Sequence, residues 1–219
     1  MIRIKICGIC DLEGARLAAE AGADMIGFHF CDSDRRVAPE EAKAIVDEMP
    51  VRPTIVGVFI DQPPEEVREI ADYVDLDLLQ LHGSEAPGFD AGRPVMKVLK
   101  VRDGEVPGAA DWPDPIMLDS WSPDQRGGTG RTWDWEAARK LLESRRVFIA
   151  GGLQPGNVGS LVSEFRPYGV DVSSGVEARV RVKDPYKVHE FVQAYLFEAE
   201  SALSIPPVPA VIADRLQEA

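Results

Sequence analysis

Four places in this 219-residue sequence put a reactive or anion-binding group just past a short apolar run: Cys7, Asp119, Gly151-Gly152 and Ser173-Ser174-Gly175. A thiol that ionises near neutrality is a strong base or nucleophile, and a carboxyl group can donate or accept a proton. Small residues leave backbone N–H groups open to an anion, so Ala150-Gly151-Gly152-Leu153 and Asp171-Val172-Ser173-Ser174-Gly175 suit a phosphate. Lys5 lies two positions before Cys7, and on a strand the two share a face, where positive charge favours a thiolate. Each group also has a plainer reading. Cys7 suits a small buried core residue, Asp119 a helix cap, the glycines tight turns and His82 a hydrogen-bonded rim histidine. Cys7-Gly8-Ile9-Cys10 is a C-x-x-C, but no second one exists, and Cys31 with His29 or His82 would have to complete a metal site. The spacing is read as accidental, and no metal is expected.

The elements that must position these groups follow from hydrophobic period. Strand-like runs fall at 2–6, 24–30, 54–60, 76–81, 95–101, 115–118, 147–150 and 169–172. Between them, Val67, Ile70, Ala71, Val74, then Val158, Leu161, Val162, Phe165, then Val188, Phe191, Val192, Tyr195 recur at i, i+3, i+4, i+7. Pro39-Glu40-Glu41, Pro64-Glu65-Glu66 and Asp184-Pro185 read as helix starts, and Gly22 as a helix stop. Alternating strands and helices imply a parallel sheet, and eight of them a closed (β/α)₈ TIM barrel, whose active face lies at the strand C-termini. All four candidate positions fall there. Residues 84–94 and 102–114 are rich in Gly, Pro and Asp with little helical period, so helices 4 and 5 are expected to be short or missing. The barrel is expected over residues 1–197, with a C-terminal extension at 198–219 that Ile205-Pro206-Pro207-Val208-Pro209 interrupts.

With 37 acidic against 24 basic residues the net charge is −13, which disfavours nucleic acid and anionic membranes as partners but leaves a phosphorylated small molecule open. The start of the chain alternates like a strand and lacks the apolar core of a signal peptide, and three cysteines do not make a secreted disulfide framework. A cytoplasmic protein with reduced thiols is expected, as a monomer.

Ordered motifs then point to a family. Lys5-Ile6-Cys7-Gly8-Ile9, Gly27-Phe28-His29-Phe30 with Arg36, Val56-Gly57-Val58-Phe59 and Gln80-Leu81-His82-Gly83 come first. They are followed by Leu118-Asp119-Ser120, Gly127-Gly128-Thr129-Gly130, Ala150-Gly151-Gly152-Leu153 and Val170-Asp171-Val172-Ser173-Ser174-Gly175-Val176-Glu177. In order and spacing, this set resembles the phosphoribosylanthranilate isomerase family. The resemblance implies a cofactor-independent Amadori rearrangement of N-(5-phosphoribosyl)anthranilate to 1-(2-carboxyphenylamino)-1-deoxyribulose 5-phosphate in tryptophan biosynthesis. By the same resemblance Asp119 is the acid and Cys7 the base, with burial expected to raise the Asp119 pKa. Lys5, Arg36, His82, Gly151, Gly152, Asp171, Ser173, Ser174 and Gly175 are the expected substrate-binding residues. Arg36 would take the anthranilate carboxylate in a forked pair of hydrogen bonds, and Arg35 is read as a solvated charge.

Two stretches depart from the family pattern. Residues 30–37 read Phe-Cys-Asp-Ser-Asp-Arg-Arg-Val where Tyr-Pro-x-Ser-x-Arg-Tyr is usual, and Val180-Arg181 replaces a customary Pro-Gly. Two alternatives therefore stand beside the main reading: a paralogue acting on another N-glycosylamine phosphate, and a catalytically silent barrel that binds a sugar phosphate.

Overall fold

The computed structural model describes residues 3–101, 105–106, 108–120 and 133–204. Side chains alternate along the first strand, β1 (Arg3–Cys7): Ile4 and Ile6 join the core shared with the helices, while Lys5 and Cys7 turn to the other face. The same alternation runs through β2 (Met25–His29), β3 (Thr54–Phe59), β4 (Leu78–Leu81), β5 (Val95–Val101), β6 (Ile116–Ser120), β7 (Val147–Ile149) and β8 (Gly169–Val172). Each strand pairs in parallel with the next, and β8 returns to β1, which closes the barrel. Met25, Val56, Leu78, Met96, Val98, Met117 and Phe148 form one buried cluster inside it. The opposite faces pack against the helices, and each fully buried aliphatic side chain there contributes about 1.5–3 kcal/mol.

Helix ends follow the local chemistry. In α1 (Leu12–Ala21), the Asp11 side chain accepts from the Gly14 N–H at 2.7 Å, and Gly22 closes the helix at φ 102°. Both α2 (Pro39–Asp47) and α3 (Pro64–Val74) start on proline and carry two glutamates in the first turn. The buried face of α3 is Val67, Ala71 and Val74. Between β4 and β5 there is no helix, and between β5 and β6 the described residues hold only a 3₁₀ turn at Ala109–Asp111. The first gap is braced by a buried pair: Lys97 Nζ meets Glu85 Oε2 at 2.6 Å and the Gly83 carbonyl at 2.5 Å.

A 3₁₀ turn (Trp135–Ala138) leads into α4 (Arg139–Ser144) before β7, and α5 (Pro155–Phe165) follows that strand. After β8 come a 3₁₀ turn (Ser174–Val176) and a small hairpin of β9 (Glu177–Arg179) and β10 (Val182–Lys183). The last helix, α6 (Pro185–Ser204), packs on α5 and α1, buries Val188, Phe191 and Val192, and continues past residue 198. The Gly127-Gly128-Thr129-Gly130 motif and residues 205–219 lie outside the described residues. No helix among the described residues is long and apolar enough to cross a membrane.

Candidate active site

The strand C-termini and their loops surround a cavity of about 740 Å³, within the range of small-molecule sites. Cys7, His82, Asp119, Gly151, Gly152, Asp171, Ser173, Ser174 and Gly175 all line it. Lys5 does not. It is fully buried beneath the cavity floor, where parallel pairing sets it beside Asp171 and brings Nζ to Oδ1 at 2.7 Å. In this position it acts on the cavity through its charge and its pairing with Asp171. Burial opposes the Lys5 charge, but Asp171 and then Cys7 outweigh it and raise its pKa.

Cys7 ends β1 with its thiol 3.3 Å from His29 Nε2. Burial pushes the thiol above its ordinary pKa, and the Lys5 ammonium pulls the other way without cancelling that push. All three cysteines are free, and the Cys10 thiol turns toward the carbonyls of Gly8 and Arg35. Among the described residues, no cluster of His, Cys, Asp and Glu is arranged to hold a metal ion.

Asp119 overturns one expectation about its charge. Burial does raise its pKa, but the imidazole of His82, 3.4 Å from Oδ2, and the Lys100 ammonium at 2.6 Å together hold the carboxyl well below the usual carboxylate range. Lys100 reaches it because β5 and β6 pair Lys100 directly with Asp119. Lys100 was not among the expected site residues. Its spacing from Asp119 means nothing until the strand register is known.

The glycine loops are built by close approach. Gly151 sits at φ 85°, and a Cβ there would lie 2.6 Å from Asp119 Oδ1, so only glycine lets the loop after β7 pass beside the carboxylate. A Cβ on Gly175 would collide with the Leu153 carbonyl, which joins the loops after β7 and β8. Asn157 ties this region to α5 by accepting from the Gln154 N–H and donating to the Gly152 carbonyl, both at 2.9 Å. The Ser173 hydroxyl is buried and has no hydrogen-bond partner among the described residues.

The structure separates the two adjacent arginines. Arg36 is exposed and does not line the cavity, whereas Arg35 does, with Nε and Nη2 forked onto Glu177 at 2.7 and 2.6 Å. The cause is a turn in which the Arg36 N–H donates to the Ser33 carbonyl at 2.9 Å and the chain re-pairs with β2 at His29, so consecutive side chains face opposite ways. A signal was available: Ser33-Asp34-Arg35 carries the Ser-x-Arg of the family pattern. Arg181, at φ 74° in the β9–β10 turn, holds this loop by donating to the carbonyls of Arg36 at 2.7 Å and Asp34 at 3.2 Å. Beside it, exposed Val180 gives the cavity rim an apolar edge.

A closed parallel barrel, with a thiol and a carboxylate on one cavity and small-residue loops after β7 and β8, defines an acid-base enzyme of the (β/α)₈ class. Residues 4–194 match the family model described as N-(5'phosphoribosyl)anthranilate (PRA) isomerase. The chain belongs to that family. It is 45% identical over 198 residues to the N-(5'-phosphoribosyl)anthranilate isomerase of Pelobacter propionicus, an alignment covering 88% of this chain and 95% of the relative. The crystal structure of phosphoribosyl anthranilate isomerase from Thermus thermophilus superposes with a TM-score of 0.82 at 38% identity, covering 90% of this chain and 99% of that one. Another isomerase structure, at 34% identity and TM-score 0.77, covers 90% of this chain and 100% of its own and is in complex with reduced 1-(o-carboxyphenylamino)-1-deoxyribulose 5-phosphate.

Proposed function

We propose that this chain catalyses the Amadori rearrangement of N-(5-phosphoribosyl)anthranilate in tryptophan biosynthesis, with Asp119 as acid and Cys7 as base. The observation that carries the reading is the order of groups around one cavity. Acid on β6 and base at the end of β1 flank the arc of β7 and β8, whose small-residue loops suit the substrate phosphate. Protonation of the ribose ring oxygen opens the furanose to a Schiff base. Removal of the C2 proton by the thiolate then gives an enolamine, which tautomerises to the ketone. Carbon is neither oxidised nor reduced overall, so no redox cofactor is needed.

Asp119 starts ionised, and the substrate itself supplies the correction. Its phosphate and carboxylate bring negative charge into the cavity, which disfavours a second carboxylate and raises the Asp119 pKa on binding. Cys7 keeps the Lys5 ammonium as its own counter-charge. Arg35 takes the substrate carboxylate, with the Val180 edge beside the aromatic ring. Reduced Cys7 suits the cytoplasm.

Rescue of a tryptophan auxotroph lacking this isomerase, together with turnover of phosphoribosylanthranilate by the purified chain, tests the reading. Failure of the intact folded protein in both assays would favour the paralogue or the silent barrel.

Arg35→Met is expected to raise KM by about 10- to 100-fold, the weight of a charge-assisted hydrogen bond, with a much smaller change in kcat. Arg36→Ala should leave both constants within about twofold, as an exposed side chain would. The reverse pattern would return the carboxylate to Arg36.

The pH profile is a further check. The base works as a thiolate, and the Cys7 pKa in the fold lies above the ordinary thiol value. With Asp119 protonated in the substrate complex, kcat should climb with pH through neutrality and level off only on the alkaline side of about 8.5. A plateau already reached at pH 7 would contradict the geometry.

A further inference from the structure

The floor of the cavity contains a histidine that the reaction scheme leaves unused. His29 ends β2, with Nε2 3.3 Å from the Cys7 thiol and Nδ1 2.9 Å from the Ser33 hydroxyl oxygen. The Ser33 oxygen already accepts the Arg35 backbone N–H at 3.1 Å. The Ser33 hydroxyl has one proton to give, and His29 Nδ1 at 2.9 Å is an acceptor within its reach. In the tautomer where Nδ1 accepts that proton, Nε2 carries the ring N–H, 3.3 Å from the Cys7 sulfur. Gly27 makes room for this arrangement, because a Cβ there would lie 2.8 Å from Cys7 Sγ and 3.0 Å from Lys5 Nζ.

We propose that His29 is a positioning residue for the base: its neutral ring donates the Nε2–H to the Cys7 thiolate, and Ser33 sets the tautomer. The inference rests on Cys7 being the base. It differs from a cysteine-histidine pair in which the ring takes the thiol proton. Burial, followed by the charge of Lys5, drives the His29 pKa down to about 3, so the ring stores no proton at neutral pH. The other ionisable groups around this pair are Lys5 from β1, Asp171 from β8, Lys183 from β10, Arg35 and Cys31 from the loop after β2, and His82 after β4. Of these, Lys5 is the cation that most lowers the thiol pKa, and the His29 N–H adds a directional donor from a second side.

The test is the pH dependence of iodoacetamide alkylation at Cys7, located by peptide mass, in the unmodified protein and in His29→Leu, His29→Gln and Ser33→Ala. His29→Leu should raise the Cys7 midpoint by about one pH unit and lower kcat/KM at pH 7 by about tenfold, with KM little changed. His29→Gln keeps an N–H near the same point and should recover most of both effects. Ser33→Ala frees the tautomer and should shift the midpoint the same way by less, which decides the matter if His29→Leu does not fold. An unmoved midpoint in His29→Leu or, failing that protein, in Ser33→Ala overturns the proposal. So does a His29→Gln midpoint displaced as far as that of His29→Leu. Activity of Cys7→Ala separates the two layers: a fully active Cys7→Ala sinks the base assignment even where the midpoint moves, whereas an inactive one with an unmoved midpoint sinks only the donor.

Discussion

Cys7→Ala is expected to lower kcat by about 10³-fold or more while leaving KM within a few fold. Proton removal from C2 needs a base at the end of β1, and no neighbour among the described residues can take over. His29, with its pKa held at about 3, is too weak a base, and Lys5 is a charged ammonium tied to Asp171. The side chain is small and its loss opens little space, so the fold should lose only about 1 kcal/mol. Steady-state kinetics with thermal unfolding of the same sample separates the two effects. Activity within tenfold of the unmodified protein would remove Cys7 from the chemistry.

Asp119→Asn is expected to cost a similar factor in kcat, because an amide cannot deliver a proton to the ring oxygen. It carries a stability signature as well. The carboxyl is held below its ordinary pKa, so its ionised form stabilises the fold at pH values above the unfolded pKa of about 3.9. That contribution is lost as pH falls through the lower folded value. At pH 7 the asparagine variant should therefore be less stable by about 2 kcal/mol, and the gap should narrow as the solution is acidified below pH 4. Denaturant unfolding at both pH values measures it. A gap that stays constant would mean that Lys100 and His82 do not hold the carboxylate in solution.

The barrel was legible because its code is short-range. Apolar runs, i, i+3, i+4, i+7 faces such as Val67 to Val74, and proline-glutamate helix starts each act within a few residues, and all eight expected strands are present in order. Cys7, Asp119, His82 and the Gly151 and Ser173 loops were equally legible, since strand ends on this fold face one cavity. Which arginine lines the cavity was not legible, because the loop departs from the family's pattern and which of two adjacent side chains turns inward depends on the Ser33–Arg36 turn.

The sequence by itself determined the alternation of strands and helices, and with it which residues stand at the barrel mouth. The charge state of those residues was decided only by the tertiary structure. Asp119 becomes a held carboxylate because barrel register sets Lys100 beside it and the loop after β4 brings His82. Cys7 sits above a lysine ammonium paired with Asp171 and beside a histidine that meets the Ser33 hydroxyl because β8 and β2 flank β1. Secondary structure follows from neighbours in sequence, whereas a pKa follows from burial and from charges within a few ångströms, and closing the barrel brings those together from positions as far apart as Lys5 and Asp171.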